Sequence, residues 1–167
     1  MATSKAYLAA PETAIVFTQS GGDVAADFDT VSAGAGHQSA QHDFTDSARA
    51  YMYRWRAWTT MATDAVVGEA IDWYYKSGYT TSTRLDNDDG TTDAALSAEN
   101  KLKNLHYIGS ITMDEVSQTE MVASGTIVIY ERFIHIVMWN GTADATDAVA
   151  NSTGFALTPL SIQGQAT

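Results

Sequence analysis

The chain has no cysteine, few basic residues and only two prolines in its 167 residues. Without cysteine it can form neither a disulfide nor a thiolate metal site, so packing must supply its stability, to which oligomerisation could add. Its nine lysines and arginines are outnumbered by 20 aspartates and glutamates, which gives a net charge of −11. Proteins bind phosphate backbones through basic patches, and the sequence offers none, so we exclude a nucleic-acid-binding role.

The sequence also lacks a long hydrophobic run. Its most apolar segment, residues 125–140, is too short to cross a bilayer and contains Glu131, Arg132 and His135. The first 14 residues hold one lysine and no extended apolar stretch. We therefore expect no membrane association and no secretory signal peptide, and synthesis in a cytosol.

What the sequence does contain is a hydrophobic fraction of 45%, enough for a core in a chain of this length. Short runs of β-branched and aromatic residues follow one another without a strand–helix–strand rhythm. This pattern predicts an all-β fold, an antiparallel β-sandwich that is jelly-roll-like, with one short helix in an insertion. We expect a single domain at residues 13–167, preceded by a small, polar N-terminal arm at residues 1–12.

Residues 125–140 are the most strand-like segment. We interpret them as two strands, residues 126–130 and 132–139, with a bend at Glu131 and Arg132. Because both faces are apolar at a period of two residues, we expect burial on both sides of this segment. The Asn140-Gly141 turn ends it.

Shorter runs supply the remaining strands, and residues 32–46 are predicted to form a loop. Gly109 indicates a bulge within its strand, and Pro159 indicates an edge strand or a bulge. Strands are predicted at residues 13–18, 24–31, 49–60, 66–76, 105–113 and 154–163.

The predicted insertion spans residues 79–104. Its second half is rich in helix-favouring residues, and Leu96, Glu99, Leu102 and Lys103 recur at helical spacing, which predicts the helix at residues 93–103. Thr92 or Asp93 would cap its first turn.

The strand at residues 49–60 carries the candidate contact residues. At strand periodicity Tyr51 and Trp55 face one way, whereas Arg54 and Trp58 face the other. Arginine stems beside aromatic rings suit a face that contacts a partner. The predicted subunit or partner contact consists of Tyr51, Tyr53, Arg54, Trp55, Arg56 and Trp58.

Two groups of residues raise the question of a metal site. His37 and His42 lie five residues apart without a clear third ligand. Asp86, Asp88 and Asp89 precede Gly90 and resemble a calcium loop, but Thr91 stands where the EF-hand pattern requires glycine. A solvated turn is the favoured interpretation, and no metal or cofactor is expected. His106 and His135, within strand runs, are expected to be core or interface histidines.

The aromatic residues leave one further alternative open. Trp55, Trp58, Trp73, Tyr74 and Tyr75 match a sugar-stacking platform, although aromatics at strand spacing more often form a core or a subunit interface. The sequence contains no nucleophile elbow, P-loop or dinucleotide fingerprint, and we expect a protein that is not an enzyme.

The last third of the chain resembles the C-terminal hairpin of small β-sandwich virion proteins of tailed bacteriophages. The resemblance rests on residues 132–142, RFIHIVMWNGT, and residues 151–159, NSTGFALTP. It covers about 40 residues. It implies a jelly-roll-like subunit that decorates or cements the capsid exterior after synthesis in the host cytoplasm.

Further expectations follow from that resemblance. The partner would be the major capsid protein, the oligomer a homotrimer, and the contact residues those of the strand at residues 49–60. A head spike or tail component of the virion, or a carbohydrate-binding module that uses Trp73 and Tyr74, are the alternatives.

Overall fold

The computed structural model describes residues 6–8, 13–44, 50–78, 90–114, 119–160 and 162–164. Strands make up most of the regular structure in these residues, together with one 3₁₀ turn at Glu99–Leu102. In chain order the strands are β1 (Ala6–Leu8), β2 (Ile15–Thr18), β3 (Val24–Ala25), β4 (Ala35–Gln38), β5 (His42–Asp43), β6 (Met52–Thr59), β7 (Ala70–Gly78), β8 (Ala94–Ala95), β9 (His106–Thr112), β10 (Met121–Val128), β11 (Phe133–Asn140), β12 (Gly154–Pro159) and β13 (Ile162–Gly164).

Two sheets pack face to face. The first sheet has the strand order β10-β6-β12-β2-β3, and the second has the order β8-β4-β11-β7-β9, with β5 also paired to β11. All pairings are antiparallel except that of β2 with β3. The prediction of an all-β antiparallel sandwich is confirmed. Within the predicted arm, β1 pairs with β13 in a separate two-stranded sheet, and residues 1–5 and 9–12 lie outside the described residues.

The long strands pair in a nested order along the chain. β2 pairs with β12, β4 with β11, β6 with β10 and β7 with β9, so early strands meet late ones. Consecutive long strands often change sheet, as β6 and β7 do, and as β10, β11 and β12 do. Each sheet is therefore built from both halves of the chain.

Aromatic rings fill the space between the sheets. Trp55 from the first sheet stacks on Phe155, with ring centroids 6.0 Å apart and an angle of 7° between the planes. Trp73 from the second sheet lies 5.3 Å from Phe155 and 5.1 Å from Phe28. Because Phe17, Phe28, Trp73 and Phe155 are all 0% exposed, these rings form one continuous core.

The segment at residues 125–140 is divided between the two sheets. It contains the second half of β10 in the first sheet and all of β11 in the second, and the chain passes from one sheet to the other near Glu131 and Arg132, where a bend is predicted. β11 is buried on both faces, but β10 alternates between exposed and partly buried residues, so the expectation of two-sided burial is wrong for β10. β6, which lies between β10 and β12, alternates in the same way, so the exposed residues of β10 belong to the open outward side of the first sheet.

The predicted helix at residues 93–103 is absent. Ala94–Ala95 pairs with β4 instead, and only Glu99–Leu102 forms a helical turn. Asp93 does not cap a helix, because its carboxylate accepts hydrogen bonds from the backbone N–H of Asp27 and lies 2.7 Å from Nε2 of His37. Tertiary pairing at the edge of the second sheet has overridden local helical propensity.

The predicted loop at residues 32–46 is also corrected, since it contains β4 and β5. Neither strand has a strong hydrophobic pattern, and both form by pairing with β11. Gly36 is required in β4, because a Cβ atom there would lie 2.8 Å from Cε3 of Trp139 and 2.6 Å from Cδ1 of Leu96.

Several predicted strand bounds differ from the observed ones, and the strand predicted at residues 126–130 is part of the longer β10, which ends at Val128. Only Val24–Ala25 of residues 24–31 forms a strand, and the left-handed φ of 61° at Thr30 ends the alternation. β7 begins at Ala70 because Val66 and Val67 lie in an exposed turn. Pro159 is the last residue of β12, a strand enclosed by β6 and β2, so the edge-strand prediction is wrong.

Trp55 lies between two glycines that belong to different sheets. A Cβ atom at Gly109 in β9 would lie 2.8 Å from Cζ2 of Trp55, and one at Gly125 in β10 would lie 2.8 Å from its Nε1. The pairing of β7 with β9 also shifts register next to Gly109, which confirms the predicted bulge. The absence of side chains at these two positions lets the indole fill the corner where β9 and β10 approach each other.

Replacing either glycine should therefore destabilise the fold. We expect Gly109→Ala and Gly125→Ala each to lower the free energy of unfolding by about 1–3 kcal/mol through overpacking against the indole. Urea denaturation measures this change, and Ser124→Ala, on the exposed face of the same strand, is the matched control. The double variant Trp55→Phe/Gly125→Ala should lose less free energy of unfolding than the two single variants lose together. Losses that simply add would contradict the steric explanation.

His42 gives the fold a pH dependence. Its ring packs edge-on against Phe17 and Phe44, with centroids 6.0 and 4.7 Å away. Burial lowers the pKa of His42 below its usual 6.5, and the nearby carboxylates of Asp43 and Asp23 offset only part of this effect. The folded protein therefore binds the proton at lower pH than the unfolded chain does.

Stability should consequently fall as the pH is lowered from about 7.5 through the ordinary histidine range. We expect His42→Gln to show a shallower decline than the unsubstituted protein when urea denaturation is repeated at several pH values. His106→Gln, which changes an exposed histidine, is the control. Identical slopes for His42→Gln and the unsubstituted protein would show that burial of His42 does not matter.

Candidate functional site

The outward-facing side of the first sheet is the candidate site, and we call it the outer face. It is built by three neighbouring strands, β10, β6 and β12, whose outward residues lie opposite one another in register. Small or β-branched side chains flank two arginines, which keeps the face flat. Its rows are Met52 with Val128, Arg54 with Thr126 and Thr158, Arg56 with Ser124 and Ala156, and Trp58 with Val122 and Gly154.

Exposed hydrophobic side chains collect on this face and at one end of it. Met52 is 40% exposed, Val122 48% and Val128 39%. At the end where the backbone N–H of Ile129 donates to the carbonyl of Tyr51, the rings of Tyr51 and Tyr130 lie 6.4 Å apart. Clusters of exposed apolar residues of this kind mark interaction surfaces in soluble proteins.

The two arginines of the outer face differ in their surroundings. Arg56 forms an ion pair of 2.9 Å with Glu120, and its guanidinium lies 5.0 Å from the ring centroid of Trp58. The indole N–H of Trp58 donates to the carbonyl of Asn151, which fixes the ring. The side chain of Arg54 has no ion pair or hydrogen bond with any described residue, and its neighbours in register are uncharged. Arg54 is thus available to a carboxylate of a partner.

The structure divides the six predicted contact residues. Tyr53 is 1% exposed and Trp55 6%, and both point into the core, so the prediction that they contact a partner is corrected. The alternation of β6 causes this split, because residues of odd number point inward along the strand. Arg54 and Arg56 are exposed on the outer face with Trp58 half-buried beside them, and Tyr51 is exposed at its end.

Sequence reasoning missed the contribution of β10. Val122 and Val128 lie on the outer face, and Tyr130 lies at its end, yet none was among the predicted residues. The alternation of apolar and small polar residues over 121–128 was the available signal. It becomes informative only once β10 is known to pair with β6.

The histidines are placed at different depths. His37 lies in β4 and binds Asp93, while His42 lies in β5 against Phe17 and Phe44. His135 is 1% exposed and its Nδ1 lies 2.9 Å from the carbonyl of Ser39, which confirms a core histidine. His106 is exposed and its ring stacks on that of Tyr75 at 4.5 Å, so of the two predicted places, core or interface, the core is excluded and the interface stays a prediction.

Within the part of the chain that the structure describes, no three potential metal ligands lie close together. The acidic residues of the calcium-like loop, Asp86, Asp88 and Asp89, lie outside the described residues. Gly90 is described, and its carbonyl accepts hydrogen bonds from the side chains of Lys76 and Gln38.

A cleft of about 260 Å³ beside His37 is the place where acid–base chemistry would be sought. Its carboxylates already hold the fold together. The carboxylate of Asp29 accepts hydrogen bonds from the backbone N–H groups of Asn151 and Thr153 and from the hydroxyl of Ser152. These bonds attach the turn before β12 to the segment after β3, and they give Asp29 a structural role.

The aromatic platform suggested by the sequence is not one surface. Trp55, Trp73 and Tyr75 point into the core, Trp58 lies on the outer face, and Tyr74 lies on the opposite side of the second sheet. The prediction that Trp73 takes part in a sugar-stacking platform is therefore wrong, since that ring is 0% exposed.

No protein-family model matches this chain, and no curated protein matches it. Among the described residues no helix has the length and apolar character needed to cross a membrane. The geometry of the outer face is therefore the main source of functional inference.

Neighbouring residues of β6 should respond differently to truncation. We expect Tyr53→Ala and Trp55→Ala each to lower the free energy of unfolding by about 3–5 kcal/mol, because they remove buried rings. Arg54→Ala and Arg56→Ala should change it by no more than about 1 kcal/mol, because an exposed ion pair and an exposed cation–π contact contribute little. Chemical denaturation of the four variants measures the contrast, and similar losses in all four would contradict the assignment of inner and outer faces.

Proposed function

We propose that the chain is a non-enzymatic structural protein of a bacteriophage virion. In this proposal it is a capsid decoration or cement protein that binds the lattice of the major capsid protein as a homotrimer. The observation that carries the proposal is the outer face, a flat surface of three strands that combines exposed apolar side chains with two arginines. A cofactor is not part of this role.

The strand order supports a jelly roll, which we include in the proposal. The pairing of β2 with β12, β4 with β11, β6 with β10 and β7 with β9 is that of a long antiparallel ribbon folded over on itself. Additional pairing of β12 with β6 and of β11 with β7 joins the folded ribbon into two sheets. Jelly rolls are common among capsid proteins, so the topology agrees with the resemblance of the last third of the chain.

The composition of the outer face suits a protein partner with acidic groups. Interfaces are enriched in arginine, methionine and aromatic residues, and Met52, Arg54, Arg56 and Trp58 supply all three kinds. Since the whole chain carries a net charge of −11, two arginines on one face are a local exception that favours a particular orientation of docking. The carboxylates near His37 and Asp29 serve the fold, which favours a binding role over catalysis.

Binding to capsids should depend on Arg54. We expect Arg54→Glu to weaken binding of the full chain to capsids that lack it by tenfold or more, because a guanidinium is exchanged for a carboxylate within the contact. Lys103→Glu makes the same charge change at an exposed position outside the outer face and should bind as the unsubstituted protein does. Co-sedimentation with purified capsids measures both.

Quantitative mass spectrometry of purified virus particles completes this test. Hundreds of copies per particle would support decoration of the lattice. A dozen copies or fewer per particle would instead indicate a position at a vertex or in the tail, as the head-spike and tail-component alternative requires. Complete absence from the particles, or equal capsid binding by Arg54→Glu and the unsubstituted chain, would overturn the decoration role.

A further inference from the structure

The outward side of the second sheet carries a second group of polar and aromatic side chains, of which two are exposed and the others half-buried. In the register of β11, β7 and β9, Asp72 lies opposite both Trp139 and Ser110, and Tyr74 lies opposite Tyr107. Residues two apart along β7 share a face, so these two rows are adjacent. We call them, together with Glu99 from the neighbouring 3₁₀ turn, the tyrosine patch.

A bulge in β9 creates this arrangement. Tyr107 and Ser110 are three residues apart and would face opposite sides of a regular strand. The register shift next to Gly109 turns Gly109 toward Trp55 in the core and leaves both Tyr107 and Ser110 facing outward, where their hydroxyl groups are hydrogen-bonded. Bulges often re-aim side chains in this way beside functional sites.

The hydrogen bonds of the patch leave defined groups free for a ligand. The hydroxyl of Ser110 donates to Oδ1 of Asp72 at 2.8 Å, so the hydroxyl of Tyr107 must be the donor to Ser110. No described residue bonds to Oδ2 of Asp72 or to the hydroxyl of Tyr74. Burial raises the pKa of Tyr74, and the negative charges near it, including Asp72 and Glu99, raise it further. Tyr74 therefore remains protonated and can donate.

The aromatic rings are presented for stacking. Tyr107 is 57% exposed, and Tyr74 meets it at a centroid distance of 5.4 Å and an angle of 66°, which braces the exposed ring from one side. Trp139 is half-buried beside Asp72. An exposed ring held in place by an edge-on neighbour can stack on a flat partner without first losing much conformational freedom.

We propose that the tyrosine patch is a binding site for a neutral saccharide. A sugar ring presents C–H groups that pack on Tyr107, and its hydroxyls match the free acceptor oxygen of Asp72 and the donor of Tyr74. Acidic sugars fit poorly, because Asp72 and Glu99 place two carboxylates at the site. A quaternary ammonium ion fits the charge, but it has no hydroxyl to bond with Asp72 and Tyr74, and the rings do not enclose a cage.

The site and the outer face belong to different sheets, so this inference is independent of the proposed capsid role. The probe is an array of neutral, amino and acidic saccharides, followed by calorimetric titration of the full-length chain with any saccharide that is retained. We expect a neutral saccharide to bind. The substitutions Tyr107→Ala and Asp72→Asn should each weaken the affinity for that saccharide tenfold or more. Tyr107→Phe, which keeps the ring, should weaken it less than Tyr107→Ala does.

The control is Tyr130→Ala, which removes another exposed tyrosine, next to the outer face, and should leave the affinity for the saccharide unchanged. Arg54→Glu should also retain full saccharide binding, which separates this site from the capsid contact. Retention of no saccharide, or equal affinity in Tyr107→Ala and the unsubstituted chain, would overturn the proposal. If choline chloride binds and Tyr107→Ala abolishes that binding, while no saccharide binds, the proposal is overturned and the ligand of the patch is a cation.

Discussion

The position of Trp55 between the two sheets is the constraint on which the rest of the structure depends. Its indole stacks on Phe155 and fills a corner that Gly109 and Gly125 leave open. A side chain of this size can be buried only on the core side of β6, and the period of two along a strand then places Arg54 and Arg56 on the opposite side. The composition of the outer face is therefore a direct consequence of where one tryptophan is packed.

The two sheets differ in what lies on their outward sides. On the second sheet the carbonyls of Gly90 and Thr92 accept hydrogen bonds from the side chain of Gln38, and that of Gly90 also accepts from Lys76, so residues 90–92 lie over part of the surface. Beside that cover the tyrosine patch remains accessible. On the outer face of the first sheet, small and apolar side chains surround the arginines. One sheet thus offers a broad, flat surface suited to a protein, and the other a small surface with hydrogen-bonding groups suited to a small molecule.

Where local sequence and tertiary structure agreed, the fold could be predicted. β6, β9 and β11 are rich in β-branched and aromatic residues and do form strands, and Gly109 marked its bulge correctly. β4 and β8 could not be predicted, because glycine and alanine form strands there only through pairing with neighbours distant in sequence. The same limit applied to the candidate site. The alternation of β6 was visible, but which of its faces turned outward, and that β10 would extend it, followed only from the packing of Trp55 and the register of the sheet.

The nested pairing of strands has a consequence for synthesis on the ribosome. β2 finds its partner only when β12 has emerged, and β12 also completes β6, so neither half of the chain can finish a sheet alone. The loop that must close between Phe17 and Phe155 includes most of the polypeptide. Until the last strands leave the exit tunnel, the apolar sides of β2 and β6 remain open to solvent and to other nascent chains. The two sheets can thus be completed only once β12 has left the tunnel, and the emergence of β12 sets the time until which their apolar sides are prone to aggregation.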